Sequence, residues 1–248
     1  MIKGIFFDVG GTLYSYKNMQ PTMMALLEKL AEKLELEQDI GEVARQYQLA
    51  NKEVDKLFAV KSSYLFRDYF KAIFDNFLNR LDKQHLDSHF DWFNATQGEM
   101  LIGCMELQPD CHETLGRLKD MGLYLSAVSN ADENQLKPLV ERGQLHQWLT
   151  HWTSSEAAQS CKPDRKFFEI ALKKSGLSAD QVMFVGDSLE QDILGAHAMG
   201  MTTVLITEAD LPAPMHIGRE TPDPHFSITS LSELPGIIEN FRGRAAGV

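Results

Sequence analysis

VMFVGDSLEQDILGAHAMGMTTVLI, residues 182–206, carries the fold in miniature. VMFVG (182–186) is a short apolar run ending at Asp187, residues 189–199 have helical spacing up to Gly200, and TTVLI (202–206) is a second apolar run. Short apolar runs bounded by glycine and joined through a helix read as buried strands of a parallel sheet. The same alternation continues on both sides. Upstream, a helix at 164–175 carries Phe167, Phe168, Ala171 and Leu172 and stops at Gly176. Before it, a helix at 110–121 ends at Gly122, LYLSAV (123–128) is a strand closing on Ser129-Asn130, and a helix broken by or beginning near Pro138 leads into WLTHW (148–152). Downstream, residues 207–224 hold Pro212, Pro214, Pro222 and Pro224 and read as loop, followed by a strand near 226–228 and a helix near 231–241.

The N-terminus supplies one more strand. IKGIFF (2–7) runs into Asp8 and two glycines, a buried strand followed by a tight loop. From about Met19 the character changes. Met23, Leu26, Leu27, Leu30 and Leu34 recur at helical spacing, with Glu28, Lys29, Glu32 and Lys33 on the other face. Helical, aromatic-rich sequence continues to about residue 103, and Phe66, Tyr69, Phe70, Ile73 and Phe77 form a second stripe that reads as a bundle core. The expected organisation is one α/β domain, 1–15 and 107–248, interrupted after its first strand by an all-helical insert, 16–106.

Bulk properties narrow the function classes. With 248 residues and 44% hydrophobic content, the chain can bury a sizeable core without metals or disulfides to hold it together. A net charge of −11 argues against a nucleic-acid binder, which needs clustered Lys and Arg. Three cysteines, Cys104, Cys111 and Cys161, form no C-x-x-C pair and no even framework. No stretch reaches the roughly 20 apolar residues of a membrane helix. The start has too few apolar residues for a signal peptide, so a reduced, cytoplasmic protein with no membrane contact is expected.

In open parallel sheets, functional groups gather beyond the carboxyl ends of the strands. That rule singles out Asp8, Ser129, the loop before Lys162, and Asp187. At those places stand DVGGTL (8–13), VSN (128–130), KPD (162–164) and GDSLEQD (186–192). In order, these resemble the four motifs of the haloacid dehalogenase superfamily. SSEAAQSCKPDRKFFEIAL (154–172) and VGDSLEQDILGAHAMGM (185–201) are also similar to that family's wording. The resemblance implies a Rossmann-like α/β core with a mostly parallel sheet and a helical cap of the family's first type, inserted as residues 16–106.

The implied activity is magnesium-dependent hydrolysis of a small phosphorylated substrate, with the cap selecting it. Asp8 would attack phosphorus and form an aspartyl phosphate, splitting one hard step into two. Mg²⁺, which prefers oxygen ligands, would be held by Asp8, the backbone carbonyl of Gly10 and Asp187, with Asp192 ligating through water or steadying the site. Ser129, Asn130, Thr12 and the backbone at Gly10 and Gly11 would cradle the phosphoryl group. Lys162 would neutralise Asp8 and the developing charge.

One position departs from the family's pattern. Its phosphatases carry a second aspartate two residues after the nucleophile, where this chain has Gly10. That aspartate is the general acid and base, a role worth about 10²–10⁴-fold. Two alternatives follow: a phosphate-binding regulatory protein with little turnover, or a phosphonatase- or dehalogenase-type hydrolase. The dehalogenase branch lacks the acidic pair that Asp187 and Asp192 resemble. The phosphonatase branch needs a cap lysine, and Lys52, Lys56 and Lys61 read as a solvated helix face. Tyr14, Ser15 and Tyr16 follow the motif in an expected flap and are the candidate stand-ins for the missing acid. His85 and His89, four apart, read as surface histidines; Trp92, Trp148 and Trp152 read as packing, and Cys161 as an inert thiol.

Overall fold

In the computed structural model, described for residues 1–208, 211 and 218–246, the chain forms two compact units. One comprises Met1–Ser15 with Glu106–Val248, the other Tyr16–Met105. Strand β1 (Gly4–Phe7) and the two-residue β2 (Tyr14–Ser15) precede four helices: α1 (Met19–Lys33), α2 (Ile40–Phe58), α3 (Phe66–Arg80) and α4 (Asp87–Cys104). The chain continues with β3 (Glu106–Leu107), α5 (Cys111–Asp120), β4 (Tyr124–Ser129), α6 (Glu133–Arg142) and β5 (His151–Ser154). Then follow α7 (Ser155–Ala158), α8 (Arg165–Ser175) and β6 (Val182–Gly186). A π-helical turn (Leu189–Ile193), α9 (Leu194–Ala198), β7 (Thr202–Ile206), β8 (Phe226–Ile228) and α10 (Leu234–Ala246) complete it.

The main sheet is six-stranded and parallel throughout, in the order β5-β4-β1-β6-β7-β8. Apolar β1 lies in its centre, with Phe7 level with Ala127 of β4 and with Val185 of β6. That register sets Asp8, Ser129 and Asp187, each at or just past a strand end, side by side on one rim. Phe6, Phe167, Phe168 and Phe184 fill the space between sheet and helices and are completely buried. The helical unit has its own core. Leu26, Leu27 and Leu30 of α1, Tyr47 of α2, Phe74 and Phe77 of α3, and Phe93 of α4 share one buried cluster. Both apolar stripes seen in the sequence enter it.

Four details differ from the sequence expectation. Residues 189–199 are not one regular helix: Ile193 N–H bonds the Ser188 carbonyl at 3.1 Å, one residue wider than an α-turn, before α9 begins. β5 begins only at His151, because Trp148 and Leu149 bond back to Leu145 and close a 3₁₀ turn. A small antiparallel pair, Tyr14 with Leu107 and Ser15 with Glu106, joins the start and return of the α/β unit; two-residue strands leave no periodicity to read. Pro138, expected to break or begin a helix, lies inside α6, which starts at Glu133. Of the loop expected at 207–224, residues 209, 210 and 212–217 lie outside the described residues, and the described remainder contains no helix or strand.

Gly195 marks the tightest contact behind the site. A Cβ there would overlap the Phe168 ring and sit 3.0 Å from Pro163 Cα. Overpacking of this kind costs about 1–3 kcal/mol. Gly195→Ala should therefore lower the thermal midpoint, by roughly 2–4 °C per kcal/mol in a chain of this size. Thermal unfolding followed by circular dichroism reads this, and an unchanged midpoint would show that α9 can move away at no cost.

Candidate active site

The loop after β1 is a tight, internally bonded turn. Gly11 has φ of +74°, a left-handed conformation that glycine adopts freely. The amide of Gly11 bonds the Tyr14 carbonyl at 2.7 Å and the Tyr14 amide bonds the Val9 carbonyl at 2.9 Å. Neither bond uses the Gly10 carbonyl. Thr12 is fully buried in this loop and its hydroxyl has no partner among the described residues.

Lys162 is the centre of the charge arrangement. Its ammonium group lies 2.6 Å from Asp8 Oδ1 and 2.6 Å from Asp192 Oδ1, and the residue is only 4% exposed. Burial disfavours the ammonium charge, but Asp192 and Asp8 outweigh it and hold the lysine above its ordinary pKa. Asp187 stands third, with no comparable cation against it. Burial, followed by the Asp8 and Asp192 carboxylates, pushes its pKa well above the usual range. Asp192 is raised to about 6, first by burial and then by Asp8, while Lys162 opposes the shift.

One oxygen each from Asp8, Asp187 and Asp192 come within 4.8 Å of one another, the one such set of metal-ligating side chains among the described residues. Three carboxylates facing a single ammonium leave the cluster short of positive charge. An all-oxygen donor set of that kind suits a hard divalent cation.

Second contacts fix this geometry. Ser188 N–H donates to Asp192 Oδ2 at 3.0 Å, and Gln191 N–H donates to Ser188 Oγ at 3.2 Å. Asn130 grips Lys162 by its backbone: its Oδ1 accepts from Lys162 N–H at 2.7 Å, and its Nδ2 donates to the Lys162 carbonyl at 3.1 Å. The same Nδ2 reaches Gln191 Oε1 at 3.1 Å. One amide thus ties three motifs together. Asn130, expected from sequence to touch phosphate, has its side chain committed to placing Lys162, and neither this nor the part of Gln191 was readable from spacing. Ser129, 7% exposed, closes β4 beside this network.

Two of the three candidate replacements for the missing acid, Tyr14 and Ser15, are tied up elsewhere. Tyr14 is buried and donates to the Leu139 carbonyl at 2.6 Å; burial raises its pKa. Ser15 donates to Glu208. In the helical unit, His85 Nε2 lies 2.8 Å from Asp75 Oδ1, and the described residues offer that histidine and His89 no third ligand for a metal. Lys52, Lys56 and Lys61 are exposed, and Cys161 is buried.

The family model for haloacid dehalogenase-like hydrolases matches residues 2–229. This chain belongs to that family. It is 27% identical to a glyceraldehyde 3-phosphate phosphatase of Methanocaldococcus jannaschii over 249 aligned residues, covering 98% of this chain and 99% of the relative. It is 27% identical to a ribulose-1,5-bisphosphate 5-phosphatase of Halopiger xanaduensis, covering 96% of this chain and all of the relative. Among solved structures, a haloacid dehalogenase-like phosphatase from Thermococcus onnurineus shares the fold with a TM-score of 0.69 at 23% identity, over 96% of this chain and 98% of that one. No described helix of this hydrolase is long and apolar enough to cross a membrane.

Lys162→Met tests the charge arrangement. Removing one partner of a buried ion pair costs about 3–5 kcal/mol, because the remaining charges stay buried and uncompensated. The variant should unfold at a clearly lower temperature than wild type at neutral pH, in metal-free buffer. An equal midpoint would mean that the three carboxylates tolerate one another without the ammonium.

Proposed function

We propose that this chain hydrolyses small phosphate esters through a covalent phosphoryl group on Asp8. The observation that carries this reading is the convergence of Asp8, Asp187 and Asp192 beside one buried ammonium. The relatives named as phosphatases of phosphorylated metabolites, similar over nearly their whole length, support it.

Asp8 has the position and charge of a nucleophile. Its carboxylate oxygen forms a bond to phosphorus while the bond from phosphorus to the alcohol oxygen breaks. Water then attacks the same phosphorus, the Asp8–phosphorus linkage breaks, and inorganic phosphate leaves. Lys162, held by Asn130, stays charged throughout and offsets the negative charge that accumulates around Asp8. Ser129 and the amides of the Gly10–Gly11 loop are the donors available to the phosphoryl oxygens. Mg²⁺, held by Asp8, Asp187 and the Gly10 carbonyl with Asp192 through water, would supply the positive charge that lets a carboxylate approach a phosphate dianion. We assign residues 1–15 and 107–248 to this chemistry and the helical segment 16–106 to substrate selection. The expectation of a cytoplasmic enzyme without nucleic-acid partners stands with this reading.

Gly10 favours a second reading. Glycine offers no acid, and the Tyr14 and Ser15 hydroxyls are engaged elsewhere. A phosphate-binding protein with low turnover is the limit of that deficiency. The alternatives of carbon–phosphorus or carbon–halogen cleavage gain nothing from the structure. The acidic set is complete, and Lys52, Lys56 and Lys61 are exposed.

The two readings separate kinetically. An aryl phosphate leaves with little protonation, so wild type should show a burst on it followed by slow turnover, and poor activity on an alkyl phosphate. Both should vanish when a chelator removes Mg²⁺. Gly10 does not have positive φ, so Gly10→Asp meets no left-handed strain. It should raise alkyl phosphate turnover at least about tenfold, toward the 10²–10⁴-fold usual for a general acid. Stopped-flow assays on both substrates decide. A folded Gly10→Asp variant without gain, alongside an inactive wild type, would sink the enzyme reading and favour the binding protein.

A further inference from the structure

Glu190 stands inside the fourth motif but has no part in the chemistry described above. It is 3% exposed, and a carboxylate buried to that degree needs strong donors. Its Oε1 accepts from the backbone N–H of Gly218 at 2.8 Å and of Arg219 at 3.1 Å. Two successive amides converging on one oxygen form a backbone nest for an anion. Gly218, at φ +88°, supplies the left-handed residue that this requires. The nest joins the return of the β7–β8 connection to the π-helical turn Leu189–Ile193. The same turn carries Asp192, whose carboxylate faces Lys162 and the Ser188 amide. At its outset the connection is held to the nucleophile loop by the bond from Ser15 to Glu208.

We propose that Glu190 is a positioning residue: by filling the nest at Gly218–Arg219 it holds the Leu189–Ile193 turn where Asp187 and Asp192 can serve one cation. The turn carries three side chains that accept from backbone N–H groups: Ser188, Glu190 and Asp192. Removing Glu190 leaves two amides at the nest without that acceptor and frees the turn between Ser188 and Asp192 to relax. The inference rests on the metal-dependent reading for its functional consequence, and on geometry alone for the tether.

Hydrogen exchange and Mg²⁺ calorimetry on the intact chain test both parts. Glu190→Ala and Gly218→Val attack the nest from opposite sides. Each should deprotect the amides of 218–219 and of 188–193, and each should weaken Mg²⁺ binding on the order of 10–100-fold, as expected for a group that orients ligands. The double variant should be no worse than either alone. Glu190→Gln keeps an acceptor oxygen and should fall between Glu190→Ala and wild type. If Glu190→Ala only lowers the thermal midpoint, while exchange across 188–193 and Mg²⁺ affinity stay at wild-type values, the residue is merely structural and the proposal fails. If wild type binds no Mg²⁺, the metal reading fails instead. The exchange pattern then decides the tether alone: deprotection in both variants supports it, and retained protection overturns it.

Discussion

Three carboxylates in one small space repel each other and pay a further desolvation penalty, and the fold tolerates them because Lys162 lies between two of them. The lysine is therefore the element around which the rest of the α/β unit is arranged. Its ammonium is 2.6 Å from Asp8 and from Asp192, and its backbone is gripped on both sides by Asn130. Asn130 in turn reaches Gln191, next to Asp192. The charge balance and the hydrogen bonds form one closed network linking the ends of β1, β4 and β6 to the loop before α8. A network of this kind is worth having only when every member is satisfied. Asp187 shares this space, and burial, followed by the Asp8 and Asp192 carboxylates, raises its pKa against the opposing pull of Lys162.

Much of the fold was legible because its strands are buried on both faces. VMFVG and TTVLI have boundaries in the structure that match their apolar runs, since glycine or a polar residue stops each run at the sheet's edge. The helical stripes were legible for the parallel reason that one face enters a core. The β2–β3 pair was not, because two residues per strand carry no period. The π-turn was not either. Side-chain bonds to backbone at Ser188 and Asp192 accompany it, and spacing alone does not reveal them.

The site was legible in its residue types and less so in its wiring. Asp8, Asp187 and the loop holding Lys162 were singled out by their places at strand ends and Asp192 by the resemblance to the family, and the structure brings them together. Asn130 was expected to meet a ligand, yet its side-chain partners lie 32 and 61 positions away in the chain. Tyr14 shows the converse. As a hydroxyl beside the nucleophile loop it suggested chemistry, but its bond to Leu139, 125 residues distant, makes it a fastening. Long-range polar partners are what a single sequence hides.

The central claim is that Asp8 becomes covalently phosphorylated. The most direct measurement is acid-quenched turnover of an aryl phosphate with Mg²⁺, followed by peptide mass spectrometry of the N-terminal segment. The account predicts a phosphoryl group on the peptide containing Asp8, labile to hydroxylamine and absent from Asp8→Asn. With glycine at the position of the base that would activate water for dephosphorylation, the labelled form should accumulate rather than pass unseen. Phosphate release at a steady rate with no label on Asp8 at any quench time, or unchanged release by Asp8→Asn, would contradict it.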